Sequence, residues 1–269
     1  MPGIAIFGVT GRMGQALLRA LAEEDAPPLR LCGALASPQS TRLGQDAAGT
    51  GTPVGVVVTA DPGPALRDAA VAVDFSVPEC IAANAAACAA AGVPLLVGAT
   101  GFAPEVRTAL ASAAARVAVL IAPNTSVGVA VVSRLVELAA RALGPGYDVE
   151  ISEAHHRMKR DAPSGTALAL GEVVARARGT ELAQVAVMDR RGGGVPRMGG
   201  DIGFSVLRAG DIVGEHTVTF AAAGERVEIT HRATDRITFA RGALRAAAWL
   251  SARPPGLYTM KDVLGLDQP

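Results

Sequence analysis

The chain has 269 residues, half of them apolar, with 25 basic and 25 acidic side chains and a formal net charge of zero. That length accommodates one large domain or two ordinary ones with a sizeable core. The charge balance argues against nucleic acid as a principal partner, and no apolar run reaches the ~20 residues that a membrane-spanning helix needs.

The opening residues Ile4-Ala5-Ile6-Phe7 enter a strand pattern directly and do not read as a signal peptide. Cys32, Cys80 and Cys88 lack metal-ligand spacing, so a cytoplasmic chain with reduced thiols and no metal is expected. The first strand runs into Gly8-Val9-Thr10-Gly11-Arg12-Met13-Gly14, and Leu17, Leu18 and Leu21 then mark an amphipathic helix. Strand, glycine turn and helix in this order suit a dinucleotide: glycines permit a tight turn, backbone approach to a pyrophosphate and close helix packing. The spacing Gly-x-x-Gly-x-x-Gly is a variant of the usual one, and a glycine turn alone is weak evidence.

Further apolar runs at 29–35, 54–58, 71–75, 94–97 and 117–121 alternate with helical or loop stretches, as parallel strands buried on both faces do. Ligands collect at the carboxyl ends of such strands. Three of these ends are distinctive: Asp74-Phe75-Ser76-Val77-Pro78, Gly98-Ala99-Thr100-Gly101-Phe102 and Ala122-Pro123-Asn124-Thr125-Ser126. The second strand ends in Leu35-Ala36-Ser37-Pro38-Gln39-Ser40-Thr41-Arg42, without the acid that usually holds an NAD ribose. Ser37 and Arg42 can instead serve a 2′-phosphate, which predicts NADPH in preference to NADH.

From about residue 127 the pattern changes. A helix over 129–143 and a strand over 148–153 lead into Glu153-Ala154-His155-His156-Arg157-Met158-Lys159-Arg160-Asp161-Ala162-Pro163-Ser164-Gly165-Thr166-Ala167. Two of the four histidines sit here, with one of only two lysines; every other basic residue is arginine. A lysine in so arginine-rich a chain points to work that a guanidinium cannot do, since an ammonium can release a proton. The spacing predicts a helix over about 163–178, whose first N–H groups near Ser164, Gly165 and Thr166 favour an anion. His155, His156 and Lys159 beside that helix start suit a small carboxylate substrate receiving a proton, although a solvated basic loop ahead of an ordinary capped helix has the same composition. Strand-like runs at 183–188, 202–208, 212–220 and 225–231 follow, with a mobile loop expected at 192–200 and a helix at about 238–250 returning to the first domain.

The elements predict an α/β chain. A Rossmann-like, doubly wound parallel sheet covers 1–126 and is completed by 240–269; an α+β domain with an open mixed sheet covers 127–239. The run 153–167 resembles the signature of the 4-hydroxy-tetrahydrodipicolinate reductase (dihydrodipicolinate reductase) family of the diaminopimelate route to lysine. The resemblance extends through the Gly8 turn, Gly98–Phe102, Asn124–Val129 and Arg208–His216, and so across essentially the whole chain. It implies an NAD(P)H-dependent oxidoreductase acting on a dicarboxylate, in a homotetramer assembled through the second domain. His155 would be proton donor and acceptor and Lys159 proton donor, with His156, Gly165 and Thr166 binding substrate, to which the reading of the helix start adds Ser164. Gly8, Val9, Thr10, Gly11, Arg12, Met13, Gly98, Ala99, Thr100, Ala122, Pro123, Asn124 and Thr125 would contact the nicotinamide nucleotide. Met158 departs from the family where many members carry a further histidine, and Ala36-Ser37 departs where some carry an acidic-basic pair. Two other readings compete: a different two-domain dehydrogenase, for which no cysteine sits in a nucleophile motif, and a non-catalytic dinucleotide sensor, which need not keep His155, His156 and Lys159 together.

Overall fold

The computed structural model describes residues 1–190 and 196–266, and the chain divides into two compact units. The first comprises Met1–Val127 and the chain from Arg236 onward; the second is Gly128–Asp235.

The first unit is a seven-stranded sheet in the order β12-β6-β5-β4-β1-β2-β3. Its strands are β1 (Gly3–Phe7), β2 (Arg30–Leu35), β3 (Val58–Thr59), β4 (Val71–Asp74), β5 (Leu95–Val97), β6 (Ala118–Ile121) and β12 (Gly256–Tyr258), and every pairing is parallel. The order reverses direction between β1 and β4, where ligands of doubly wound sheets gather. Continuous burial of β1 and β4 fits strands covered on both faces. Helices α2 (Pro62–Leu66), α3 (Pro78–Ala91) and α4 (Pro104–Ala114) enclose a core with Phe7, Ile81, Cys88, Leu95 and Leu110. On other contacts, α1 (Arg12–Leu21) packs on α8 (Ile237–Leu250), which rests on β4 and β5, and α9 (Met260–Leu264) follows.

The second unit is a five-stranded mixed sheet in the order β11-β10-β7-β9-β8. It consists of β7 (Asp148–His155), β8 (Ala186–Val187), β9 (Ile202–Arg208), β10 (Gly214–Ala222) and β11 (Glu225–Ala233). Helices α5 (Val127–Leu143) and α6 (Gly165–Ala177) cover one face, where Val136, Ile151, Leu170, Val174, Phe204, Val218 and Phe220 form the core. The other face carries Ser152, Ser205, Leu207 and Thr230, all exposed, with Thr217 bonded to Thr230 at 2.9 Å between hydroxyls.

Three local expectations need correction. The run 54–58 becomes strand only at its end, because the Asp46 carboxylate captures the N–H groups of Ala48, Val54 and Gly55 and folds that stretch into a loop. The run 183–188 is half helix: α7 (Leu182–Val185) sets Leu182 and Val185 three residues apart against the core, and only β8 continues as strand. Strand β12 was not expected, since its three residues are too short to show a period. Within the expected mobile loop at 192–200, residues 192–195 lie outside the described residues; beyond them Arg197 anchors the chain to β7 through Val149 O (3.0 Å) and Glu150. Among the described residues no helix is long and apolar enough to cross a membrane.

Candidate active site

In the first unit, the segments after β1, β4, β5 and β6 share one rim because those adjacent strands run parallel. Gly8 has φ +74°, and a Cβ there would stand 2.8 Å from Phe75 O; one on Gly14 would stand 2.5 Å from Gly8 O. Both positions therefore exclude side chains. Gly11 caps α1 without a side-chain bond, leaving the first-turn N–H groups around Arg12 and Met13 uncapped. This is a cradle of the kind that accepts a pyrophosphate. Gln15 secures it, donating to Val9 O (2.9 Å) and Ala47 O (3.0 Å), a role that its sequence position does not announce.

The remaining first-unit residues vary in how they are held. Val9 is fully buried and offers only its backbone, whereas Thr10 is half-buried and Arg12 exposed. Gly98 lies under the Phe75 ring, where a Cβ would come within 2.2 Å of a ring carbon; Ala99 is buried and Thr100 exposed. Ala122 is buried and Pro123 exposed, while Asn124 accepts from Ser126 N (2.9 Å). Thr125 is buried and its hydroxyl donates to Phe239 O (2.7 Å), tying the end of β6 to α8. Ser37 is exposed and its hydroxyl bonds the Gln39 side chain. Arg42 Nη2 is engaged by its own loop, donating to Asp46 O (3.0 Å) and Ala47 O (2.9 Å).

The second unit holds the titratable cluster. Along β7 the inward residues are Val149, Ile151, Glu153 and His155, so the apolar face of the strand ends in an acid and an imidazole. Glu153 Oε2 lies 2.6 Å from His155 Nδ1. Arg208, opposite His155 on β9, grips both carboxylate oxygens at 2.6 and 2.8 Å. Ser164 N–H donates to Oε1 at 3.0 Å. Burial pushes Glu153 upward, but the bonds from Arg208, His155 and Ser164 outweigh it and hold the acid below its usual range. Burial lowers His155 despite its carboxylate partner, with Lys159 and Arg208 adding to the effect.

The loop after His155 is tethered. Ala209 N donates to His155 O (3.0 Å), Arg157 N to Gly210 O (3.1 Å), and Arg208 Nη2 to Asp161 O (2.7 Å). Lys159 Nζ sits 2.9 Å from Asp161 Oδ2, while His156 is half-buried and Met158 exposed. Helix α6 starts later than its proline implies: Ala162–Pro163 is cis and lies outside the helix, and Ser164 is the cap. The Ser164 hydroxyl faces inward, accepting from Ala167 N (3.2 Å) and meeting His216 Nε2 at 2.9 Å, with only 2% of the residue exposed. At the helix start Gly165 is exposed, with open space beside it, and Thr166 is half-buried. His216 packs edge-on to His155, centroids 5.2 Å apart, and burial pushes it down to about 4. Glu153, Arg208 and His216 are the members that sequence reasoning missed, although the alternation Val149-x-Ile151-x-Glu153-x-His155 places Glu153 on the face of His155.

A doubly wound parallel sheet with a glycine cradle, continued by a mixed-sheet unit with a buried acid–imidazole cluster, defines the two-unit Rossmann-like class. Residues 3–125 match the family model described as dihydrodipicolinate reductase, N-terminus, and residues 128–264 the model of its C-terminus. The chain belongs to the dihydrodipicolinate reductase family. It is 54% identical over 264 residues to a 4-hydroxy-tetrahydrodipicolinate reductase of Thiobacillus denitrificans, with 98% of each chain covered. It is 52% identical over 269 residues to the enzyme of that name from Anaeromyxobacter dehalogenans, covering 99% of this chain and 98% of the relative. Its fold is shared by a dipicolinate-bound dihydrodipicolinate reductase from Paenisporosarcina, with TM-score 0.77, 22% identity, and 96% and 97% of the two chains covered.

Proposed function

We propose that this chain reduces 4-hydroxy-tetrahydrodipicolinate to tetrahydrodipicolinate in the diaminopimelate route to lysine. What carries the reading is a buried imidazole bearing an ionised carboxylate at Nδ1, with an ammonium four residues on, in a chain whose halves match both models of the family. The net change replaces the 4-hydroxyl of a cyclic imine by hydrogen. A bound reduced nicotinamide supplies the hydride, and the departing hydroxyl leaves as water with a proton from the protein.

In the second unit, Lys159 gives a proton and His155 passes one on through Nε2. A dicarboxylate draws the ammonium away from Asp161 by opposite-charge attraction. Acid catalysis of this kind contributes about 10²–10⁴-fold. The backbone at Gly165 and Thr166, at the start of α6, receives a substrate carboxylate, and His156 holds it from the loop. Ser164 supports this arrangement from beneath as cap and as partner of His216. The first unit binds the nucleotide through Gly8–Met13, Gly98–Thr100 and Ala122–Thr125. NADPH is preferred, with Ser37 and Arg42 on the 2′-phosphate; the lack of an acid after β2 supports this.

The uncovered sheet face of the second unit, small and β-branched in Ser152, Ser205, Thr217 and Thr230 with exposed Leu207, supports homotetramer assembly through that face. Three free cysteines support a cytoplasmic setting. Synthase-generated substrate and NADPH, followed by absorbance, test the reaction. One nucleotide oxidised per substrate is expected, and no oxidation above background overturns the proposal.

A further inference from the structure

We infer that Glu153 is the positioning residue of His155: its carboxylate fixes the imidazole as the tautomer protonated on Nδ1 and bare on Nε2, and Arg208 fixes the carboxylate. The inference deepens the proposed function, since it rests on His155 handling the proton.

Four donors converge on two oxygens. Oε1 accepts from Ser164 N–H (3.0 Å) and Arg208 Nη2 (2.6 Å); Oε2 accepts from Arg208 Nη1 (2.8 Å) and faces His155 Nδ1 (2.6 Å). An ionised carboxylate can satisfy all four, whereas a carboxylic acid would put a donor against a donor. The Glu153 side chain is only 1% exposed, so it has no solvent alternative. Its register is set by β7, and that of Arg208 by the pairing of Arg208 with His155 across β7 and β9.

The other charged or titratable groups facing the ring are Lys159 on the loop after β7 and His216 on β10. Lys159 and Arg208 disfavour a second proton on His155, as does its burial, and His216, itself pushed down to about 4, adds no charge near pH 7. The ring is therefore neutral near pH 7 and has one hydrogen to place. Glu153 draws it to Nδ1, which leaves the lone pair on Nε2 for exchange with substrate. Space beside Nε2 is kept by Gly214, where a Cβ would stand 3.0 Å from that nitrogen.

Glu153→Gln separates positioning from packing. The amide keeps the shape but has one oxygen and an NH₂. Ser164 N–H and Arg208 Nη2 both bond Oε1 and can only donate, so the oxygen stays at that position and the NH₂ replaces Oε2, facing His155 Nδ1 and Arg208 Nη1. Arg208 Nη1 loses its acceptor and cannot become one, whereas His155 can respond by moving its hydrogen to Nε2.

The test is the ¹⁵N spectrum of the histidine side chains, recorded on the full chain for the wild type and Glu153→Gln, together with turnover and nucleotide affinity. The wild type is expected to show His155 protonated on Nδ1, and the variant Nε2. The variant's kcat should fall by about 10²–10⁴-fold with nucleotide affinity unchanged, and its His155 ionisation should move to lower pH because a carboxylate that raised it has gone. A wild-type His155 protonated on Nε2 overturns the inference, and this measurement needs no variant to fold. An unchanged tautomer in the variant overturns it too. An inverted tautomer with full turnover supports the grip of Glu153 on the ring and overturns the catalytic reading of His155.

Discussion

At the end of β1 three glycines strip the chain to its backbone, whereas at the end of β7 side chains from three strands and a helix cap converge below the surface. The first arrangement exposes N–H groups to a ligand through what is missing. The second holds Glu153, His155, Arg208, Ser164 and His216 through mutual bonds, each depending on the others. The difference predicts different failures: an added atom should damage the first region, and a deleted one the second.

The largest effect is expected from Arg208→Ala. It strands the buried Glu153 carboxylate without its cation, and breaking such a pair costs about 3–5 kcal/mol. Urea unfolding measures this; a loss below about 1 kcal/mol would mean that the pair behaves as a surface ion pair.

Acid pH acts on the same region. His216 is held at about 4 in the fold against an ordinary 6.5, so the folded state binds fewer protons between those values. Its contribution is complete above about pH 6.5 and declines as pH falls toward 4, by up to about 3 kcal/mol. Glu153, depressed in the fold, adds its own loss only below the ordinary carboxylate range. Unfolding at pH 7 and 4.5 should show the fall, and His216→Gln should flatten it. Equal stability at the two values contradicts the buried neutral ring.

Gly14→Ala probes the glycine turn. A Cβ 2.5 Å from Gly8 O, Val9 Cα and Val9 O forces the turn open, at about 1–3 kcal/mol. Nucleotide titration should show weaker binding than in the wild type, and intact affinity would remove the turn from the nucleotide site.

The smallest effect is at Arg42. Because one of its nitrogens already serves Asp46 O and Ala47 O, Arg42→Ala should reduce the NADPH-to-NADH ratio of kcat/KM by roughly tenfold, about 1.4 kcal/mol. An unchanged ratio would return the 2′-phosphate contact to Ser37 or its neighbours.

The two regions were also unequally legible. The β1 turn could be read because its glycines, flanking strand and helix are contiguous, so one short window contains the whole arrangement. Around β7 only the local run 153–167 stood out. Arg208 lies 55 residues from Glu153, and His216 lies 52 from Ser164, distances that only the mixed sheet closes. Ser164 shows a related limit. Its residue type announces a helix cap, but not that the same hydroxyl meets a buried imidazole. Short elements escaped for a different reason: β12 has three residues and β3 two, less than one legible period, and Asp46 draws the expected strand around it into a loop.

Lys159→Arg tests the division of labour most directly, with turnover on synthase-generated substrate measured beside nucleotide affinity. Arginine keeps the charge beside Asp161 but cannot release a proton. The expected result is a kcat lowered by about 10² or more with nucleotide affinity unchanged. A kcat near that of the wild type would contradict the placing of proton donation at Lys159.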